Sequence, residues 1–89
     1  MKFEFDKNKS KMNQYKHGMD FETAKKLWTD SNRVQISARW EDEPRFLLIA
    51  QLDNELWSAI YTKRKNRIRI ISVRKSRNDE KEIYKSFRI

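Results

Sequence analysis

The sequence contains no cysteine, a single glycine and a single proline among its 89 residues. Without cysteine, the chain can have no disulfide, no thiolate metal ligand and no cysteine nucleophile. One glycine, Gly18, is too few for the glycine-rich loops of P-loop enzymes and dinucleotide-binding folds. No apolar run approaches the length of a membrane span, and residues 1–6 lack the apolar segment of a signal peptide. We therefore expect a cytoplasmic protein with no role at a membrane.

Positive charge is concentrated in the last third of the chain. Residues 1–62 contain ten Lys or Arg and ten Asp or Glu, whereas residues 63–89 contain eleven against three, so this segment carries the whole net charge of +8. Residues 67–74 alternate cations with β-branched residues, which is typical of a folded strand and not of a disordered tail. A one-sided basic surface most often binds a polyanion such as nucleic acid. The alternative is a charged surface that only keeps the protein soluble.

The spacing of apolar residues predicts a single α+β domain over residues 1–89, with two N-terminal helices, a small antiparallel sheet and one C-terminal helix. The first half should form a strand over 2–6, a helix over 7–17 that ends at Gly18, and a second helix from Asp20 that ends by 30–32. The second half should form strands over residues 33–39, 45–52, 56–62 and 67–75, then a helix from 76 or 78 to the end. We expect the helices on one face of the sheet.

The same spacing predicts which large side chains fill the core. On the first helix, Met12 and Tyr15 should point inward. Elsewhere the residues assigned to the core are Trp28, Trp57, Phe46 and Leu48. These aromatic and aliphatic side chains supply enough apolar surface for a folded domain in spite of the high charge.

The order of short motifs along the chain resembles a known family. The residues that carry the resemblance are Phe3-Glu4-Phe5-Asp6, Lys9, Asn13, Lys16-His17-Gly18, Phe21, Ala24, Asp30, Arg45-Phe46, Tyr61-Thr62, Arg64, Arg67-Ile68-Arg69-Ile70-Ile71-Ser72, Arg74-Lys75, Glu80 and Tyr84. Together they resemble the BrnT family of bacterial type II toxins, which have a RelE-like ribonuclease fold. The resemblance implies a toxin that cleaves RNA and inhibits translation. It also implies a partner antitoxin similar to BrnA, whose ribbon-helix-helix domain binds operator DNA so that the complex represses its own operon.

The chain departs from the family pattern at three places. Ala50 stands where a glycine is common, and the usual turn glycine is missing at Asn54-Glu55. Pro44 stands where family members often carry an acid, so the nearest acid becomes Glu43 or Glu41. The sequence does not choose between these two carboxylates.

RNA can be cut without a metal when its 2′-hydroxyl attacks the adjacent phosphorus, provided that the protein supplies a base, an acid for the leaving group and cations for the developing charge. The first candidates for binding the phosphate are Arg64 and Arg74, which end adjacent predicted strands and which we expect to converge on one phosphate. The alternative is that each arginine pairs with a surface acid such as Glu80. We expect no metal site and no other cofactor, because the sequence contains no acid cluster suited to two magnesium ions.

His17 is the natural candidate for proton transfer, because histidine readily gains and loses a proton near neutral pH. The alternative is that it only complements the C-terminal end of its helix. Glu43, or Glu41, is the candidate general base, although acidic turns are usually only solvated. The residues expected to hold phosphates and position RNA are Lys9, Lys16, Arg67, Lys75 and Arg77. Tyr61 is a candidate for stacking on a base of the RNA, and the alternative is that it belongs to the core, as aromatic residues on central strands usually do.

Two other functions fit the same sequence. The chain could be a non-catalytic nucleic-acid-binding module that acts as a co-repressor subunit with its partner. It could also be a purely structural subunit whose basic face binds an acidic protein segment. Cleavage of RNA by the isolated protein distinguishes the ribonuclease toxin from these two functions.

Overall fold

A computed structural model describes residues 1–38 and 43–87. The elements are β1 (Lys2–Glu4), α1 (Lys7–His17), α2 (Phe21–Ala24), a 3₁₀ helix (Lys25–Thr29), β2 (Val34–Ala38), β3 (Arg45–Leu52), β4 (Glu55–Arg64), β5 (Arg67–Lys75) and α3 (Asn78–Ser86). The α+β class is therefore confirmed, and the arrangement agrees only roughly with the expected RelE-like one. The candidate base Glu41 and the predicted ends of the second strand and the last helix lie outside the described residues.

The sheet is mixed, whereas the sequence predicts an antiparallel one. Its strand order is β1-β5-β4-β3-β2. Strands β2 to β5 form the predicted antiparallel meander, but β1 joins β5 in parallel, with Phe3 opposite Ile68. This pairing puts the ring of Phe3 on the same face as Ile68 and against the core. The parallel pairing depends on contacts between distant parts of the chain, which a local pattern does not reveal.

The turn between β3 and β4 forms without the glycine that the resemblance led us to expect. Asp53 and Asn54 both have positive φ, of 51° and 67°, between the paired residues Leu52 and Glu55. Asp and Asn tolerate this left-handed conformation better than other non-glycine residues, and two such residues suit a tight hairpin. The missing glycine therefore does not disturb the hairpin.

Helix α1 has the predicted ends but not the predicted inward face. The Asp6 carboxylate accepts hydrogen bonds from two first-turn amides, and Gly18 ends the helix with a φ of 82°. Met12 and Tyr15, however, are 53% and 87% exposed, so the prediction that they point inward is wrong. The buried residues of this helix are Ser10 and Asn13.

Polar groups on the neighbouring backbone explain this inversion. The Asn13 side chain donates to the Val73 carbonyl at 2.8 Å and accepts from the Val73 amide at 3.1 Å. Strand β1 pairs with β5 only as far as Arg69, so Asn13 continues the hydrogen bonding of the β5 edge where β1 has ended. Asn13 also donates to the Met19 carbonyl, and the Ser10 hydroxyl accepts from the Phe21 amide. The helix is thus held to the sheet by satisfied buried polar groups.

Helices pack on both faces of the sheet, not on one as predicted. Leu48 belongs to the core cluster of Phe21, Leu27 and Trp28, while its neighbour Ile49 belongs to a second cluster with Tyr84 of α3. Adjacent strand residues point to opposite faces, so α3 lies on the face opposite α2. The core assignments of Trp28, Trp57 and Leu48 are confirmed, and Phe46 packs partly buried against the first cluster.

Candidate active site

The two arginines that were expected to share one phosphate lie far apart. Strands β4 and β5 are antiparallel, and Arg64 pairs with Arg67 whereas Arg74 pairs with Ser58. Arg64 is six positions after Ser58 on β4, which corresponds to roughly 20 Å along the strand. The prediction that Arg64 and Arg74 converge is therefore wrong, because the C-terminal ends of antiparallel neighbours point in opposite directions.

Arg74 forms a closed ion pair with Glu80 of α3. Its Nη1 and Nη2 atoms donate to Oε1 and Oε2 of Glu80 at 2.7 and 2.8 Å, and the Glu80 side chain is only 8% exposed. The Ser58 hydroxyl and the Arg77 amide also donate to Glu80, at 2.9 and 2.8 Å. The hydrogen-bonded guanidinium, supported by these donors, lowers the pKa of Glu80 to about 2. The alternative role proposed for Arg74, pairing with Glu80, matches this geometry.

Arg64 and Glu43 are brought together at the other end of the sheet. The Arg64 Nη2 atom lies 3.6 Å from Glu43 Oε1, and the two side chains are 52% and 34% exposed. Arg67, which pairs with Arg64 across the strands, is 60% exposed on the same face. We call Glu43, Arg64 and Arg67 the Arg64 cluster. It combines a carboxylate with two accessible guanidinium groups, which are the types of base and cation that metal-free cleavage of RNA uses.

Local structure explains why Glu43 reaches Arg64. Side chains alternate along β4, so Thr62 and Arg64 share one face while Tyr61 lies on the other. The buried Thr62 hydroxyl donates to the Pro44 carbonyl at 2.7 Å, which fixes the segment before β3 against β4. This bond holds the residue next to Pro44, Glu43, beside the end of β4.

A third place contains His17. It lines a cleft of about 450 Å³ together with Trp57, Glu55 and Lys75, whose ammonium group lies 3.4 Å from the Glu55 carboxylate. Trp57 is seven residues before Arg64 on β4, or roughly 23 Å along the strand. The cleft does bring together His17 and Lys75, two of the predicted residues. It does not bring His17 to the Arg64 cluster.

A protein-family model confirms the resemblance found in the sequence. The model describes the ribonuclease toxin BrnT of type II toxin-antitoxin systems, and it matches residues 5–80. The chain belongs to the BrnT family. The matched range leaves out strand β1 and contains the Arg64 cluster, Arg74 and the residues that line the His17 cleft. A search of curated proteins finds no match to the chain.

The predicted role of Tyr61 in stacking on RNA disagrees with its position in this BrnT chain. Tyr61 is fully buried, its ring packs between Trp28 and Phe46, and its hydroxyl donates to Gln35. Burial raises the pKa of Tyr61 to about 12. Its ring is therefore part of the core, which was the alternative role for Tyr61, and a buried ring offers no face to a base.

The cationic residues predicted to position RNA are distributed over several surfaces. Lys9 and Lys16 are exposed on α1, Lys75 lines the His17 cleft, and Arg77 is exposed at the start of α3. Only Arg67 belongs to the Arg64 cluster. A single continuous site for all of them does not form, so RNA would have to meet more than one face of the protein.

Two residues beside the Arg64 cluster, Glu4 and Arg69, were not among the predicted site residues. Arg69 donates to Glu4 of β1 at 2.9 Å, and Arg67 lies 4.0 Å from the same carboxylate. Alternation along β5 puts Arg67 and Arg69 on one face, but the parallel pairing with β1 was needed to find Glu4. Glu4 therefore holds Arg69 in place, whereas its contact with Arg67 is loose.

The described residues give no sign of a metal centre or a membrane segment in this BrnT chain. In residues 1–38 and 43–87, no three side chains of His, Asp or Glu come close enough together to hold a metal ion. Over the same ranges, no helix is long and apolar enough to cross a membrane.

Proposed function

We propose that this BrnT chain is a metal-independent endoribonuclease and that the Arg64 cluster is its cleavage site. The observation that supports this most directly is the loose pairing of Arg64 with Glu43, at 3.6 Å between half-exposed groups. An ion pair of this kind contributes little to stability. Its partners can therefore separate and bind the substrate, in contrast to the closed pair of Arg74 and Glu80.

The proposed reaction is transesterification within the RNA chain. The 2′-oxygen attacks the adjacent phosphorus, a 2′,3′-cyclic phosphate forms, and the bond to the 5′-oxygen of the next nucleotide breaks. Glu43 accepts the proton of the 2′-hydroxyl, and water returns a proton to the leaving 5′-oxygen. Arg64 donates hydrogen bonds to the phosphate oxygens as their charge increases in the transition state.

Arg67 holds a neighbouring phosphate in this proposal. It is the most exposed member of the cluster, and its loose 4.0 Å contact with Glu4 leaves its guanidinium accessible. Contacts of this type fix the register of the RNA without reading its bases. The other predicted contacts, Lys75 and Arg77, lie at the opposite end of β5 from Arg67 and would hold more distant phosphates of a long RNA.

We further propose that cleavage inhibits translation and acts in the cytoplasm. The partner would be a BrnA-like antitoxin with a ribbon-helix-helix domain, and the complex would bind operator DNA through that partner. We expect the antitoxin to cover the basic segment from Arg64 to Arg77. The membership of the chain in a family of type II toxins supports the existence of such a partner.

The test is incubation of the purified, antitoxin-free protein with total RNA in excess EDTA. We expect cleavage to persist in EDTA and to leave 2′,3′-cyclic phosphate and 5′-hydroxyl ends. A Glu43→Gln variant, which keeps the shape of the side chain but not its basicity, should be slower by about 10²–10⁴. Salt-sensitive binding of intact RNA by the folded wild type would instead support the non-catalytic co-repressor hypothesis.

A further inference from the structure

Helix α1 presents its large apolar side chains to solvent. Met12 and Tyr15 are 53% and 87% exposed, while the side of the helix that faces the sheet is held by Ser10 and Asn13. A surface helix ordinarily has the reverse arrangement, with apolar residues towards the core. Since the core does not use Met12 and Tyr15, these two side chains are available to bind something else.

The exposed surface of α1 is also uniformly basic. Residues 7–17 contain four lysines and no acid. Residues three or four apart are neighbours on a helix, so Tyr15 lies beside Lys11 and Met12, and Met12 lies beside Lys9 and Lys16. All of these side chains are exposed. We call Lys9, Lys11, Met12, Tyr15 and Lys16 the α1 surface.

We propose that the α1 surface is a second RNA-binding surface that takes single-stranded RNA. This inference rests on the proposed function only in taking RNA as the ligand. A base would stack on the ring of Tyr15, and the three lysines would neutralise the flanking phosphates. Base stacking on an exposed aromatic, combined with cations that follow the backbone, is the usual way in which proteins bind single strands without reading sequence.

The composition of the α1 surface favours RNA over an acidic protein segment. Protein interfaces are depleted in lysine and enriched in arginine, whereas this surface contains lysine alone as its cation. At 87% exposure, the Tyr15 ring is accessible as a stacking platform. A surface pocket that receives the side chain of a protein partner would cover more of the Tyr15 ring. An acidic protein partner therefore becomes an outcome of the test.

The α1 surface and the Arg64 cluster lie on different sides of the sheet. Phe5 and Met19, which flank α1, pack with the first core cluster, whereas Arg64 is on the face that carries α3. The two shorter dimensions of the protein are 27 and 24 Å, so one strand of RNA would have to pass around the edge of the sheet to reach both. The α1 surface should therefore increase affinity for long RNA and leave the cleavage of short oligonucleotides unchanged.

The experiment measures the affinity of the antitoxin-free protein for a long and a short unstructured RNA at several salt concentrations. Tyr15→Ala should weaken binding of the long RNA about tenfold, as expected for the loss of one stacked base. A Lys11→Gln, Lys16→Gln variant should lower the salt slope by about 1.4, because each phosphate contact to a single strand contributes about 0.7. The matched control is Phe87→Ala, which removes an aromatic residue that is 67% exposed at the end of α3.

Each outcome bears on the proposal. Weaker binding of the long RNA by Tyr15→Ala, with unchanged binding by Phe87→Ala, supports the RNA-binding role of the α1 surface. This conclusion holds even if neither the wild type nor any variant cleaves RNA. In that case only the proposed cleavage site fails. Unchanged RNA affinity in Tyr15→Ala overturns the RNA-binding role, and if the wild type still cleaves RNA, the cleavage proposal stands alone. Unchanged RNA affinity together with loss of antitoxin binding would likewise overturn it, in favour of a protein-docking surface.

Discussion

Arg74 and Glu80 are joined by two parallel hydrogen bonds of 2.7 and 2.8 Å, and this pair ties strand β5 to the first turn of helix α3. Glu80 also accepts from Ser58 on β4, whose hydroxyl is 2.8 Å from that of Ser76. A buried carboxylate with this many donors is fixed in place. The pair therefore has a structural role that is separate from the proposed chemistry of Arg64.

We predict that Arg74→Met destabilises the protein by about 3–5 kcal/mol, because it leaves the Glu80 charge buried without its partner. An Arg74→Met, Glu80→Gln double variant should lose less than the sum of the two single changes. Urea unfolding monitored by tryptophan fluorescence measures these values. An Arg74→Met protein that is as stable as the wild type but no longer cleaves RNA would contradict the structural role and return Arg74 to the active site.

The stability of the protein should fall in acid because of Glu80. Its pKa is about 2 when folded, below the ordinary value of 4.5, so folding favours the ionised carboxylate. The resulting stabilisation is fully present above about pH 4.5 and is lost as the pH falls towards 2. Its size is on the order of 3 kcal/mol from the shift in pKa. Urea unfolding between pH 6 and 2 should therefore show a steeper loss for the wild type than for Glu80→Gln, and equal slopes would contradict the assignment.

We predict that His17→Ala leaves RNA cleavage nearly unchanged. His17 lines a cleft roughly 23 Å along β4 from Arg64, too far for proton transfer at the same phosphate. The single-turnover rate of cleavage measures this directly. If His17→Ala instead lowers the rate by the 10²–10⁴ typical of a lost general acid or base, the active site is the His17 cleft and not the Arg64 cluster.

Thr62 should act as a positioning residue. Thr62→Val removes the hydrogen bond to the Pro44 carbonyl but keeps the shape of the buried side chain. We expect a loss of roughly 0.5–1.5 kcal/mol in stability, because one hydrogen bond is lost, and slower cleavage, because Glu43 is no longer held beside Arg64. Thr62→Ser keeps the hydroxyl and should restore the cleavage rate. A Thr62→Val protein with wild-type cleavage would show that Glu43 does not need this anchor.

The sequence predicted those parts of the fold that local signals determine. Asp6 and Gly18 marked both ends of α1, and alternation predicted the four strands of the meander within a few residues. The inward face of α1 was predicted wrongly because Asn13 serves the open edge of β5, sixty residues away in sequence. The spacing of apolar residues along α1 contains no information about the edge of β5, which is distant in sequence.

The candidate site was predicted only in part for a related reason. The sequence shows which carboxylates and arginines are candidates for the site, but which of them lie close together depends on which ends of the strands meet. Antiparallel pairing separated Arg64 from Arg74, and the anchor between Thr62 and Pro44 brought Glu43 to Arg64. The exposed fractions of the tyrosines, which the sequence does not give, show that Tyr61 belongs to the core and that Tyr15 lies on the surface.

The most direct test of the account is the single-turnover cleavage rate of Arg64→Gln, with Lys65→Gln as the matched control. Both changes remove one positive charge at the same end of the sheet, but only Arg64 lies beside Glu43. We predict that Arg64→Gln lowers the rate by about 10²–10³, as for the loss of one donor to a developing oxyanion, while Lys65→Gln has little effect. Equal rates for wild type and a folded Arg64→Gln protein would contradict the assignment of the cleavage site.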